Sequence, residues 1–293
     1  MDQPRGNGRK RQDGGEGAFG RLLRHWRAQR RVSQLALAVE AEVSSRHISF
    51  IETGRAHPSR EMVLLLAEVL DVPLRNRNEL LTTAGYAPLY RETALDAPAM
   101  AQLHRALEFI LRQQEPYPTL VLDRHWNVLK VNDGSARVQA YFLDPVAAAE
   151  LGPPNAMRLM FHPQAFRPYI VNWEATAASL IQWLHRDALN GFGDAETRAL
   201  LAELLSYPDV PRHWRTPDRS VSPVPFLAIH FRKHELDLRF FTTLTSLGTP
   251  YDLTLQGLRI ESFFPADEAT EAELQSLAGG KTPTEREQDP ERR

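Results

Sequence analysis

Along this chain the spacing of apolar residues changes from helical to strand-like, and the change falls near Pro118. Before it, apolar positions recur every three or four residues. Phe19, Leu22, Leu23 and Trp26 stand at i, i+3, i+4 and i+7, one face of an amphipathic helix, with Arg21, Arg24, Arg27, Arg30 and Arg31 at helical spacing on the other. Ser33, Ser44 and Ser59 are good N-caps, and each precedes a short apolar-periodic run. Gly54 reads as the stop of the helix after Ser44, and Gly85 as the stop of a fifth helix over Leu74–Ala84. Five short helices predict a compact all-α domain. Beyond Pro118 the period is two: Thr119–Leu122 and Val128–Val131 read as a hairpin, and Pro225–Arg232, Glu235–Ser246 and Leu253–Phe263 as three further strands. Helical patterns cover Met100–Gln113, Gly134–Phe142, Gln164–Leu189, Asp194–Leu205 and Glu268–Ala278. This order predicts an α+β domain, a five-stranded antiparallel sheet with helices on one face.

The expected organisation is a disordered arm over 1–17, the helical domain over 18–86, a linker over 87–99, the α+β domain over 100–278 and a disordered tail over 279–293. Cysteine is absent, which excludes disulfides, iron–sulfur clusters, cysteine-rich zinc sites and thiol nucleophiles. Apolar runs such as Val63–Ala67 are far short of the roughly 18 residues of a membrane span. The polar start, without an apolar stretch, predicts no signal peptide and a cytoplasmic, nucleoid-associated chain with no membrane partner. The net charge of −2 conceals an asymmetry: residues 1–91 carry 15 Lys and Arg against 10 Asp and Glu, and the remainder 20 against 27. A basic first third joined to an acidic remainder predicts that the first domain meets a polyanion.

Ser33–Gly54 reads as a capped helix, a tight connection and a second capped helix, with small Ala38 where the two cross. This is the helix-turn-helix arrangement, in which the second helix lies in the major groove of double-stranded DNA. Phe19 to about Ala84 resembles the XRE/Cro-repressor family of bacterial DNA-binding domains. The resemblance implies that Gln34 lies near a phosphate and a base edge. It makes Ser44 the cap of the recognition helix, with Ser45, Arg46 and Ser49 or Phe50 projecting towards the groove. Arg55 matches a phosphate contact, and Arg27 with Glu52 a buried structural ion pair. Glu42 stands where many such domains carry glycine, so it must accept an unfavourable φ or the turn must differ.

The segments Arg46–Arg55, Pro58–Val63 and Ala84–Pro88, followed by Pro118–Asn127, Phe161–Pro163, Val171–Glu174, Phe240–Thr245 and Arg259–Pro265, resemble a subfamily that fuses this domain to an MmyB-like ligand-binding domain. That resemblance implies a PAS-like sensor fold and a small apolar, fatty-acid-like ligand. Arg158, His162, Arg167 and Asn172 are interleaved with aromatics, as donors at the mouth of an acyl slot would be, with Arg167 the first choice for a carboxylate, then His162, then Arg158. Trp126, Phe161, Trp173 and Phe241 are candidate walls of the slot. A homodimer on a pseudo-palindromic operator is expected, because one such module covers little DNA. No cofactor or metal set is read, since His230 and His234 flank a turn with Lys233 between them. No nucleophile elbow or triad setting is present, so an enzyme ranks last. The alternative to a sensor is a second domain without ligand, serving dimerisation or protein interaction.

Overall fold

Each serine read as a cap performs that task. Ser33, Ser44 and Ser59 accept hydrogen bonds from the backbone N–H of Ala36, His47 and Met62 at 3.0, 3.1 and 3.2 Å. The structure is a computed structural model and describes residues 17–190, 195–216, 226–247 and 252–280. The arm over 1–17 and the tail over 279–293 therefore lie outside the described residues, apart from Gly17, Gly279 and Gly280. The chain divides into two units between Glu92 and Thr93.

The first unit holds α1 (Ala18–Gln29), α2 (Gln34–Glu40), α3 (Ser45–Glu52), α4 (Arg60–Val69) and α5 (Leu74–Thr83). All five helices end in the same way. The residue after the C-cap is left-handed (Arg31, Glu42, Gly54, Asp71 and Gly85, with φ of 57, 53, 72, 45 and 80°), so only two of the five are glycine. The next residue sends its N–H back to the last turn: Val32 to Arg27, Val43 to Ala38, Arg55 to Phe50, Val72 to Ala67 and Tyr86 to Leu81. This is the Schellman arrangement, and it satisfies carbonyls that a helix end leaves unpaired. The core packs Leu23, Trp26, Leu37, Ile48, Ile51 and Leu66 together with their buried neighbours. On α4, Val63, Leu66 and Ala67 fill the core, whereas Leu65 is 37% exposed. The expected linker is tied down at its start, because the Asn78 amide holds Leu89 and Tyr90 by three hydrogen bonds.

The second unit runs α6 (Ala101–Gln113), β1 (Thr119–Leu122), β2 (Val128–Val131), α7 (Asp133–Phe142), α8 (Pro145–Glu150), α9 (Ala156–Phe161), α10 (Trp173–Asn190), α11 (Ala195–Leu204), β3 (Leu227–Lys233), β4 (Leu236–Ser246), α12 (Leu253–Gly257), β5 (Arg259–Pro265) and α13 (Glu268–Ala278). The five strands form one antiparallel sheet in the order β2-β1-β5-β4-β3, the α+β architecture expected. Three local expectations are corrected. The long helix begins at Trp173 and not at Gln164, because Pro163 and Pro168 interrupt the approach and a short 3-10 turn covers Arg167–Tyr169. The run from Leu253 opens as α12, capped by Asp252, and becomes strand only at Arg259. Helices also cover both faces of the sheet. The inner face packs on α7, α9, α10, α11 and α13 through Phe142, Phe161, Ile181, Leu204 and Leu274. On the outer face, Leu107 and Leu111 of α6 cover Val121 and Ile260. Burial of all four β1 residues follows from this double cover.

Candidate DNA interface and ligand cavity

The turn between α2 and α3 keeps helix-turn-helix geometry with Glu42 in the left-handed region, so the sequence departure is absorbed by backbone strain at one residue. Behind it, Glu52 is fully buried. Arg27 grips its carboxylate with Nε at 2.7 Å and Nη2 at 3.0 Å, Gln34 adds its amide at 2.7 Å, and Arg24 approaches at 3.4 Å. Burial pushes the Glu52 carboxyl up, but these hydrogen bonds and the Arg27 charge outweigh it and hold the group below its ordinary value. The ion pair implied by the resemblance is therefore present, and it occupies the amide nitrogen of Gln34. Ser44 is exposed but uses its hydroxyl as the cap. Ser45, Arg46 and Arg55 are exposed, and Ser49 and Phe50 are half-buried. The Arg46 guanidinium lies 5.1 Å from the centroid of the Phe50 ring, a contact that holds an extended donor fork on the outer side of α3. Ile48 and Ile51 on the opposite side are buried. The candidate readers thus share one face, which a helix with this apolar spacing dictates.

In the second unit a cavity lies between the inner face of the sheet and α7, α9 and α10, enclosing about 730 Å³ with its open mouth included. Its walls include Leu120, Trp126, Val138, Met157, Phe231 and Phe240. The polar groups on it are Ser135, Gln139 and Glu261. Ser135 donates to the Thr119 carbonyl at 3.0 Å. Glu261 stands on β5 opposite Leu120 of β1 and Leu244 of β4, only 5% exposed. Burial pushes its carboxyl up to about 7, against the Thr242 hydrogen bond and the Arg259 charge, which pull it down.

Of the expected ligand residues only Trp126 lines this cavity. Arg158 is held by Glu203 through three bonds of 2.9–3.1 Å and edges a neighbouring pocket. Arg167 donates to the Pro208 carbonyl at 2.5 Å and lies 4.8 Å from the Trp173 ring centroid, which accounts for both residues. His162 accepts the Gln164 N–H at 3.2 Å and meets Tyr207 edge-on. Asn172 ties α10 to β3, accepting from the His230 N–H and donating to the Ala228 carbonyl, each at 2.9 Å. Phe161 is fully buried against Trp173, and Phe241 is on the outer side of β4, stacked on Phe264 at 5.3 Å. The interleaving of donors and aromatics therefore reflects a connection bolted to its neighbours, not the mouth of a slot. His230 is likewise engaged, with Nε2 2.7 Å from the Asp237 carboxylate.

The model of the MmyB-like transcription regulator ligand binding domain matches residues 103–277, which is more than half of the chain. The chain belongs to this family. A helix-turn-helix domain model matches residues 18–80, and together the two make the protein a DNA-binding transcription regulator. No curated protein matches. Among solved structures, an RNA-binding light-oxygen-voltage receptor aligns at 13% identity over 92% of this chain and 64% of its own length, with a TM-score of 0.26. A score that low says nothing about fold. No helix among the described residues of this MmyB-like regulator is long and apolar enough to cross a membrane. Sequence reasoning passed over Glu261, although a carboxylate inside an otherwise apolar strand, Ile260-Glu261-Ser262-Phe263, was its signal.

Proposed function

We propose that the chain is a one-component regulator whose helix-turn-helix unit recognises a pseudo-palindromic operator, and whose second unit holds a small apolar molecule with a fatty-acid-like chain that modulates the binding. The observation that carries the ligand half is the cavity itself. It is an apolar space bounded by a sheet and three helices, walled by aliphatic and aromatic side chains with only Ser135, Gln139 and Glu261 as polar residues, which is the makeup of a small-molecule site. The DNA half is supported by the basic first third of the chain and by exposed Arg46 and Arg55 on and beside α3. In this reading the chain binds and does no chemistry, in the cytoplasm, as a homodimer. Association is favoured by an aromatic cluster on the outer sheet face, where exposed Phe226 and Phe241 meet edge to face at 5.8 Å.

Modulation requires the ligand to prefer one state of the protein, and coupling of this kind is typically about 5–150-fold in affinity. The test is native mass spectrometry of the purified full chain, followed by binding to an operator selected from random DNA before and after removal of apolar small molecules. A released small molecule whose removal changes operator affinity supports the reading. A bare chain whose operator affinity ignores the extraction leaves a ligand-free dimerisation module as the better account.

A further inference from the structure

We propose that the cavity of the second unit takes an apolar ligand with an uncharged, oxygen-bearing head, and that Glu261 reads that head and turns a carboxylate away. The inference rests on the ligand-binding reading above and adds the chemical class. No lysine, arginine or histidine is among the described residues lining the cavity. Ser135 already donates to the Thr119 carbonyl, which leaves Gln139 and Glu261 as the polar groups able to meet a ligand deep in the site.

Glu261 is placed there by strand register. On β5 it points to the same side as Phe263, another wall residue, and lies directly across from Leu120, also a wall residue. From β4 the Thr242 hydroxyl is its hydrogen-bond partner. Arg259, two residues away on the same strand, is the cation that acts on it. That guanidinium is already neutralised by Asp187 of α10 at 2.8 Å and lies 4.7 Å from the Trp126 ring centroid, so it has a carboxylate and an aromatic face as partners. From α7 the residues facing the cavity are Ser135, Val138 and Gln139, none of which titrates.

A fatty acid bound with its head inward would bury a second carboxylate beside Glu261 with no free cation to compensate. Like charges in an apolar site oppose each other strongly, and an unpaired buried carboxylate is costly by itself. An alcohol can donate to the Glu261 carboxylate, and an ester, ketone or amide carbonyl can accept from its protonated form. The carboxyl held near neutrality by burial suits both. Selection against acids would then come from the site as much as from attraction to the preferred head.

The experiment is calorimetry on the delipidated full chain at pH 7, where both forms of the Glu261 carboxyl are populated, with dodecanol, methyl dodecanoate and dodecanoic acid below their aggregation concentrations. The expected result is that the alcohol and the ester bind about tenfold or more tighter than the acid. Glu261→Gln should keep the alcohol within about threefold and narrow its advantage over the acid, because a neutral amide removes the like charge. The proposal is overturned if the acid binds wild type as tightly as the alcohol, or if Glu261→Gln leaves the discrimination intact. If that variant does not fold, the wild-type series alone decides. If none of the three binds, the ligand-binding reading falls and takes this inference with it.

Discussion

Arg46 and Arg55 are both exposed, yet their surroundings assign them different work. Arg46 is on the second residue of α3, fixed over the Phe50 ring, so its fork is aimed before DNA arrives. Arg55 follows the left-handed Gly54 and anchors its own N–H on the Phe50 carbonyl at 2.8 Å, so its position is set by the helix stop. The first geometry suits base edges and the second suits the backbone of the duplex. Arg46→Ala should cost about 1–3 kcal/mol and relax preference at one base position. Arg55→Ala should weaken all sequences alike and lower the salt slope by about one. Binding isotherms over a salt series, with single-base variants of the operator, separate the two. If both variants lose affinity with unchanged sequence preference, Arg46 is a phosphate contact and another residue of α3 reads the bases.

The helix ends show what the sequence makes legible and what it hides. Serine caps announce three of the five helix starts in the first unit, because a side-chain oxygen at that position has one obvious use. The stops are harder to read. Glycine marks only Gly54 and Gly85, while Arg31, Glu42 and Asp71 adopt the same left-handed conformation. The common signal is the apolar residue that follows, Val32, Val43 or Val72, whose N–H closes the motif as its side chain joins the core. In the second unit, period-two spacing located four strands but began the fifth too early, at Leu253, and it did not mark their inner faces, since α6 buries the outer side of β1 and β5 and both faces are apolar there. Glu261 was hidden by that double cover. Gly20 was hidden for a different reason: it is a contact, not a conformation. A Cβ on it would lie 2.3 Å from the Glu52 carbonyl oxygen, so α1 can approach α3 only with glycine there. Glu42 and Gly20 therefore predict opposite outcomes. Glu42→Gly relieves a left-handed residue that is exposed, and should stabilise the first unit by about 0.5–1 kcal/mol after the entropy of glycine is allowed for. Gly20→Ala should destabilise it by at least about 1–3 kcal/mol. Denaturant midpoints of the full chain, followed by a probe confined to the first unit, test both signs, and a stabilising Gly20→Ala would refute the close approach.

Two units with separate cores make the chain a molecule with two answers to pH. In the first unit, burial lowers the His25 pKa, and the Glu52 carboxyl is held low by Arg27 and Gln34 against the cost of burial. Both groups bind protons more weakly folded than unfolded, so this unit loses stability as pH falls, first below the ordinary histidine value of 6.5 and then through the carboxylate range. In the second unit Glu261 is displaced the other way, from 4.5 to about 7. Its contribution is fully present below 4.5 and is lost as pH rises through about 7. The other shifted acids among the described residues of that unit, Glu108, Glu203, Asp237, Asp252 and Asp267, all move down, so their effects fall at acid pH, below the range in which Glu261 gives up its proton. A shift of this size corresponds to about 2–3 kcal/mol lost between pH 4.5 and 8. Calorimetry across that range should therefore show two transitions moving in opposite directions, the second unit's falling as the first unit's rises. Glu261→Gln should flatten the falling one and leave the other unchanged, because an amide has no proton to lose there. A second-unit transition that holds steady from pH 5 to 8 in the wild type, or falls equally in Glu261→Gln, would mean that this carboxyl is solvated at neutral pH and is not the buried acid of the cavity wall.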